Sequence, residues 1–186
     1  CLYSAFKKNH KYKNFVFEFI PNSADYVYRY ELSRNQLVEL LKDIKQDPYG
    51  RRHIISFWNW SNIDKKALVE CAYETIWTVR GKYLDMFLNQ RSGDMLVASG
   101  AGNVNEVQYA ALLMMVARDT GYKPGKFTHM VVNEQIYDRH IENAKELLNR
   151  HGDDSKVPTM KLNEKKTSFY DFTIEDFELY DYEPIK

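Results

Sequence analysis

The stretch that most constrains the fold is "VNEVQYAALLMMVARDTG", residues 104–121. Its spacing predicts a helix that ends at Gly121, and apolar side chains occupy nearly the whole circumference of that helix. A helix that is apolar all round is stable only when other elements cover it on every side. We therefore expect a long buried central helix with the rest of the chain packed around it.

The surrounding runs predict both strands and helices. Helical spacing is present at 33–46, with Ser33 as the N-cap, and at 138–150. Runs rich in aromatic and β-branched residues predict strands at 15–20, 51–60, 71–79, 83–92, 126–137, 159–163 and 172–182. Gly81 joins the runs at 71–79 and 83–92 as an antiparallel pair. Because helices and strands do not alternate strictly, we expect an α+β domain on a mixed sheet.

Composition excludes several classes of partner. Lys plus Arg and Asp plus Glu each number 26, so a neutral chain of 186 residues has no global field for nucleic acid or an anionic membrane surface. No apolar run reaches the roughly 18 residues that span a bilayer. The two cysteines, Cys1 and Cys71, cannot form a disulfide framework, which favours a reducing, cytoplasmic compartment. No His/Cys spacing indicates a metal site.

Local arginines are the candidates for anion binding. Arg51 and Arg52 follow a Pro-Tyr-Gly turn, and Arg91 follows a predicted strand with Ser92 beside it. Planar guanidinium groups suit phosphate, and a serine hydroxyl adds a donor. Arginine pairs are also common as surface salt-bridge partners, so these residues alone do not define a site.

Cys71 has two interpretations. A free cysteine is usually a small buried hydrophobe, whereas a reactive thiolate needs a cationic neighbour. Arg91 lies on the adjacent strand of the predicted hairpin and would supply that charge. The residues thus combine a candidate nucleophile with a candidate phosphate site without naming a reaction.

Several motifs in collinear order, from about residue 35 to 182, resemble the thymidylate synthase family. Together they are far more specific than any one of them alone. The motifs are "QDPYGRRHIISFWNWSNIDKKALVEC", "NQRSGD", "VNEVQYAALLMMVA", "NEQIYDRH" and "DFTIEDFELYDY". The resemblance implies that family's mixed sheet, packed with helices around the central helix.

The resemblance also implies roles at the reacting base. Cys71 would be the nucleophile that adds to C6 of a pyrimidine, making C5 able to attack a one-carbon donor. Asn105 would read the base, because a carboxamide offers an acceptor to N3–H and a donor to O4 of uracil. Arg91 and Ser92 would bind the nucleotide phosphate.

Further roles follow from the same resemblance. Arg51 and Arg52 would reach the phosphate in the other subunit of a homodimer. Asp94 would hydrogen-bond the folate pterin and would also belong to the nucleotide-binding residues. Two sets of residues complete the expected site: Gln135 and Tyr137 at the sugar, and Tyr28 as the active-site tyrosine.

The chain departs from the family pattern at several positions. Gln135 replaces a histidine, Asn133 an aspartate, Glu70 a proline and Ile76 a glutamine. We expect the Glu70 side chain to point to solvent. The family's N-terminal arginine and glutamate and its C-terminal closing tail are not found. We therefore expect one catalytic domain over residues 1–186 that lacks N-terminal and extreme C-terminal segments.

The expected activity is reductive methylation of dUMP to dTMP, with 5,10-methylene-tetrahydrofolate as donor of carbon and hydride. Two alternatives stay open. One is a pyrimidine-nucleotide hydroxymethylase on the same scaffold, in which water instead of hydride completes the reaction. The other is a non-catalytic homologue that binds a nucleotide or a protein partner.

Overall fold

The computed structural model describes residues 35–58, 69–97, 104–150 and 157–183. The predicted strand at 15–20, the Ser33 cap and the candidate Tyr28 lie outside these ranges. The helices and strands, in chain order, are α1 (Gln36–Gln46), β1 (Ile54–Ser56), β2 (Ala72–Arg80), β3 (Tyr83–Gln90), β4 (Gly93–Asp94), α2 (Val104–Thr120), β5 (Lys123–Val131), β6 (Glu134–Gln135), α3 (Ile141–Asn149), β7 (Thr159–Leu162) and β8 (Phe177–Tyr180).

The central helix is confirmed as α2. It ends one residue before Gly121, which adopts a φ of +82°, a conformation that glycine reaches without steric cost. The helix packs against β3, β5 and α1. Its buried residues occupy almost every position from Ala111 to Ala117, as an all-round apolar helix requires.

The main sheet has the order β1-β2-β3-β5 and is mixed, as the sequence predicts. The first three strands are antiparallel, whereas β5 runs parallel to β3. The predicted hairpin is confirmed: β2 and β3 are joined at Gly81, whose φ of +61° suits a tight turn. A parallel β5 becomes possible because α2 lies in the crossover connection that leads from β3 to β5.

The core lies on one face of this sheet. Side chains along β3 alternate between buried and half-buried, so every second residue reaches the core. Fully buried residues from α1, β3, α2 and the C-terminal segment meet there, including Ile44, Leu84, Val116 and Phe169. The opposite face keeps exposed apolar side chains, among them Ile54, Ile76 and Met130.

Some predicted boundaries were wrong. Strand β1 spans only three residues, so Arg51 and Arg52 lie in the turn before it. The strand predicted at 126–137 is two strands, because the chain leaves the edge of β3 at Val132 and pairs with β4 instead. Helix α1 begins at Gln36, where the Asn35 side chain accepts a hydrogen bond from the Val38 N–H.

No helix within the described ranges is long and apolar enough to cross a membrane.

Candidate active site

The candidate site begins where β2 starts and β3 ends. Cys71 directly precedes β2, and Arg91 directly follows β3; the Arg91 main-chain N–H donates to the Cys71 carbonyl oxygen at 2.8 Å. The Arg91 guanidinium also donates through Nε to the Glu70 carbonyl and through Nη2 to the Val69 carbonyl, both at 2.9 Å. The cation therefore lies along the main chain that leads into the half-buried Cys71.

An irregularity in the ladder follows immediately. The register between β2 and β3 shifts between Ala72 and Glu74, leaving Tyr73 as an extra residue. The Tyr73 carbonyl accepts instead from the Phe57 N–H at 2.8 Å, and its ring meets the Trp58 ring edge-on. Bulges of this kind bend a strand and redirect its side chains. Here the bend sits two residues after the candidate nucleophile.

Glu70 is not where we expected it. The prediction that its side chain points to solvent was wrong, because that residue is only 4 % exposed. Arg91 holds the carbonyl groups of residues 69 and 70 against the end of β3, which draws this segment into the protein. A carboxyl group is thus buried directly before Cys71.

Gln90, the last residue of β3, organises the interior of the site. It has no exposed surface. Its Nε2 donates to the Ser92 carbonyl at 2.9 Å, and its Oε1 accepts from Asn105 Nδ2 at 2.9 Å. The same Oε1 lies 3.0 Å from His129 Nε2. One side chain therefore connects β3 to the first turn of α2 and to β5.

A second layer supports His129. Its Nδ1 lies 2.9 Å from Glu106 Oε1, and its ring stacks on Phe127 with centroids 5.9 Å apart and planes 14° apart. Sequence reasoning missed Gln90, Glu106 and His129. The available signal was the position of Gln90 inside "NQRSGD", between the strand and Arg91.

The other arm of the site is the short parallel pair of β4 and β6. Asp94 faces Gln135 in this pair, although 41 positions separate them in the chain. The Asp94 carboxylate accepts from the Leu96 N–H at 3.1 Å, and His140 Nδ1 lies 3.7 Å from its other oxygen. The structure thus brings the predicted folate ligand and the predicted sugar ligand together.

Tyr137 and the arginine pair lie at the surface. The Tyr137 ring contacts the Arg139 guanidinium at 5.4 Å and the His140 ring at 5.7 Å. Arg51 and Arg52 are exposed, after a turn closed by the Gly50 N–H and the Asp47 carbonyl. The start of β1 pairs with Ile76, in the middle of β2, so this turn lies away from Cys71 within one chain.

No three or more histidine, cysteine, aspartate or glutamate side chains come together as metal ligands in the part of the chain that the structure describes. What the site offers instead is a thiol, a guanidinium, and a carboxamide whose orientation is fixed by hydrogen bonds.

The comparisons with known proteins agree on one family. A family model described as thymidylate synthase matches residues 6–186. The chain is 44 % identical over 154 residues to thymidylate synthases of Streptococcus suis and Streptococcus mutans. Those alignments cover 80 % of this chain and 54 % of each relative, so the chain spans about half the length of the curated relatives it matches.

A solved structure agrees with the sequence matches. The thermostable thymidylate synthase A from Bacillus subtilis superposes with a TM-score of 0.71 at 36 % identity. The match covers 81 % of this chain and 53 % of that chain. The α+β architecture with a mixed sheet is therefore shared, as the sequence predicts.

Proposed function

We propose that this chain, which belongs to the thymidylate synthase family, converts dUMP to dTMP with 5,10-methylene-tetrahydrofolate as the donor of carbon and hydride. The observation that carries the proposal is the arrangement around the end of β3. Three residues that carry different chemistry meet there from separate elements: Cys71 through its main chain, Arg91 through its guanidinium and Asn105 through its carboxamide.

Cys71 is the nucleophile in this proposal. Its thiolate adds to C6 of the uracil ring, which breaks the conjugation and makes C5 a carbon nucleophile. C5 then attacks the methylene carbon of the folate as one of its bonds to a folate nitrogen opens. C5 loses its proton, and the remaining carbon–nitrogen bond breaks to leave an exocyclic methylene group on the base. A hydride from the released tetrahydrofolate reduces this methylene to methyl, while the thiolate leaves and the C5–C6 double bond returns. Electrons balance because the folate is oxidised as the carbon is reduced.

Arg91 and Ser92 bind the phosphate. A guanidinium has five N–H donors, and Arg91 uses its Nε and Nη2 on the main chain before Cys71. The rest of the fork remains for phosphate oxygens. Arg91 therefore links the position of the phosphate to the position of the nucleophile.

Asn105 reads the base. One Nδ2 hydrogen is directed at Gln90 Oε1, which leaves the other for O4 of uracil and leaves the carbonyl oxygen for N3–H. Cytosine presents the opposite pattern at these two positions. The orientation held by Gln90 therefore favours a uracil nucleotide.

The β4–β6 arm holds the remaining parts of the two substrates. Asp94 carries a half-buried carboxylate that suits the N–H groups of a pterin, and its place opposite Gln135 keeps it beside the nucleotide. Gln135 and Tyr137 are exposed donors and acceptors for the sugar. The folate fits this arm as a second substrate.

A homodimer would complete the site. Ile54 and Ile76 lie side by side on the sheet face opposite the core, and Met130 is also exposed on that face. Exposed apolar side chains of this kind favour a self-complementary contact. Because Arg51 and Arg52 lie away from Cys71 in their own chain, they would serve the phosphate of the other subunit. We expect the dimer in the cytoplasm, where both thiols stay reduced.

Sedimentation tests the dimer. We expect Ile76→Glu to yield a monomer, whereas Val38→Glu, also at an exposed position but on α1, should leave the dimer intact. Mixing Cys71→Ser subunits with Arg52→Ala subunits should restore activity that neither variant has alone. A monomeric, active wild type would contradict both the interface and the shared site.

The decisive experiment is formation of a covalent complex. Incubation with 5-fluoro-dUMP and methylene-tetrahydrofolate should give an adduct detectable by protein mass spectrometry, and Cys71→Ser should abolish it. Cys1→Ser, at the only other cysteine, is the matched control and should retain it. Absence of an adduct in the wild type would favour a non-catalytic homologue.

The product distinguishes the two enzymatic alternatives. With dUMP and the folate, the nucleotide should gain CH2. A gain of CH2O would show that water completes the reaction, and would replace the synthase with a hydroxymethylase.

A further inference from the structure

We propose that the Glu106–His129 pair is a positioning device that acts through Gln90 to fix which atoms of the base-reading carboxamide face the nucleotide. This inference rests on the proposed function where it concerns nucleotide selectivity. Its structural basis is a chain of hydrogen bonds whose donors and acceptors can occupy only one arrangement.

The arrangement starts at the Ser92 carbonyl oxygen, which can only accept. It therefore requires the Nε2 end of Gln90, which donates to it at 2.9 Å. The Oε1 end must then face Asn105 and His129, and an amide oxygen also can only accept. Both neighbours must present N–H groups to it.

The hydrogen bond to Gln90 determines that His129 carries a hydrogen on Nε2. Nε2 has to carry a hydrogen, and a neutral imidazole has only one N–H. Yet Nδ1 lies 2.9 Å from a Glu106 carboxylate oxygen, a distance at which a hydrogen must lie between two otherwise electron-rich atoms. The Glu106–His129 pair therefore holds one proton more than a carboxylate and a neutral imidazole would hold separately.

The surroundings keep this pair in place. The His129 side chain is 11 % exposed and that of Glu106 is 26 % exposed, so water has limited access. The Phe127 ring, stacked on the imidazole, restricts the plane of the ring. His129 comes from β5 and Glu106 from the first turn of α2, so the pair also joins β5 to the helix that carries the base-reading Asn105.

The consequence for Asn105 concerns selectivity. If Glu106 is lost, nothing holds the second proton on His129, and the ring can become neutral. A charged donor to Gln90 Oε1 is then replaced by a weaker neutral one, and the tautomer with a bare Nε2 becomes accessible. Gln90 keeps its contact with the Ser92 carbonyl but loses support from His129, so Asn105 gains freedom to turn its amide group. A turned carboxamide matches cytosine instead of uracil.

Two variants at one position test the relay by binding. Glu106→Leu removes the acceptor, whereas Glu106→Gln can donate to Nδ1 of a neutral imidazole and so keep the hydrogen on Nε2. With the full chain, calorimetric Kd values for dUMP and dCMP should show the dUMP preference falling about tenfold in Glu106→Leu. It should stay within about twofold of wild type in Glu106→Gln. An unchanged preference in Glu106→Leu would overturn the proposal.

Nitrogen NMR of the imidazole tests the relay without any nucleotide. In protein carrying 15N-labelled histidine, both ring nitrogens of His129 should be protonated in the wild type. In Glu106→Gln only Nε2 should be protonated, and His129→Phe identifies the signals. A bare Nε2 in the wild type would refute the relay even if the nucleotide experiments succeed. Correct NMR states without nucleotide binding would instead count against the proposed function alone.

Discussion

Gln90 and Asp176 are two buried polar side chains that gather their hydrogen bonds in opposite ways. Gln90 bonds to nearby Ser92 and also to partners from distant parts of the chain, Asn105 at the start of α2 and His129 near the end of β5. Within the described part of the chain, the side-chain partners of Asp176 all come from residues 163–173. Its Oδ2 accepts from Lys166 Nζ at 2.6 Å and from the Thr173 N–H at 2.7 Å, and its Oδ1 accepts from Asn163 at 2.8 Å.

The difference indicates that the Asp176 cluster stabilises the fold, whereas the Gln90 cluster orients the side chains of the candidate site. The Asp176 carboxylate is an anion surrounded by donors, and together they close the turn between β7 and β8. The Lys166 ammonium first, and the surrounding hydrogen bonds with it, lower the pKa of Asp176. Gln90 is neutral, and the orientation of its amide group determines which atoms of Asn105 and His129 face it. Changes at Asp176 should therefore affect stability, and changes at Gln90 should affect activity.

Gln90→Leu should have the largest effect. Leucine has a similar size but leaves the groups of Asn105 and His129 without their common acceptor. We expect kcat/KM for dUMP to fall about a hundredfold, equivalent to about 2.7 kcal/mol of transition-state stabilisation. Steady-state kinetics at a temperature well below the unfolding midpoint measure this. If the loss of activity only matched a loss of folded protein, Gln90 would act on stability as Asp176 does, and the prediction would be wrong.

Asp176→Ala should act on stability instead. It leaves Lys166, Thr173 and Asn163 without the acceptor they share, and we expect the free energy of unfolding to fall by about 2 kcal/mol. Urea unfolding at neutral pH measures the loss. The folded fraction should retain kcat/KM within about twofold, and a tenfold activity loss would contradict the separation.

Acid should reveal the same carboxylate. Because the pKa of Asp176 is lowered in the folded protein, its contribution is complete above the unfolded pKa of about 4 and is lost as the pH falls toward the folded pKa. Below about pH 4 the wild type should lose up to about 1.4 kcal/mol per pH unit more than Asp176→Asn does. Urea midpoints between pH 3 and 6 test this, and parallel curves would count against it.

Asn163→Ala should give the smallest effect and sharpen the contrast. It removes one donor to Asp176 and one acceptor for the Lys165 N–H, which should cost about 1 kcal/mol of stability. In the Asp176→Ala background the same change should cost clearly less, because the shared hydrogen bond is already gone. Full additivity would mean that the two residues do not act as one cluster.

The parts of the fold that were predictable depend on local patterns. The central helix follows from its all-round apolar surface, and the β2–β3 hairpin follows from two strand-like runs around Gly81. The break at Val132 was not predictable in this way. It arises because β6 pairs with β4, a tertiary choice that the run at 126–137 does not encode by itself.

The same distinction applies to the site. The approach of Arg91 to Cys71 follows from hairpin register, so the sequence could indicate it. The burial of Glu70 depends on the grip of the Arg91 side chain on the main chain, and the role of His129 depends on a helix approaching from elsewhere. Polar side chains in a strand carry no local sign of the partners that bury them.

The parallel pairing of β4 and β6 has a consequence for which substitutions this chain can tolerate. Main-chain pairing places Asp94 opposite position 135, and the Asp94 carboxylate is bound by the Leu96 N–H, so the residue at 135 can be exchanged without removing that hydrogen bond. That position is also exposed, which spares a new side chain from repacking the interior. In the proposed function, position 135 is therefore one at which a saturation library should change sugar preference while the pairing that holds Asp94 is retained.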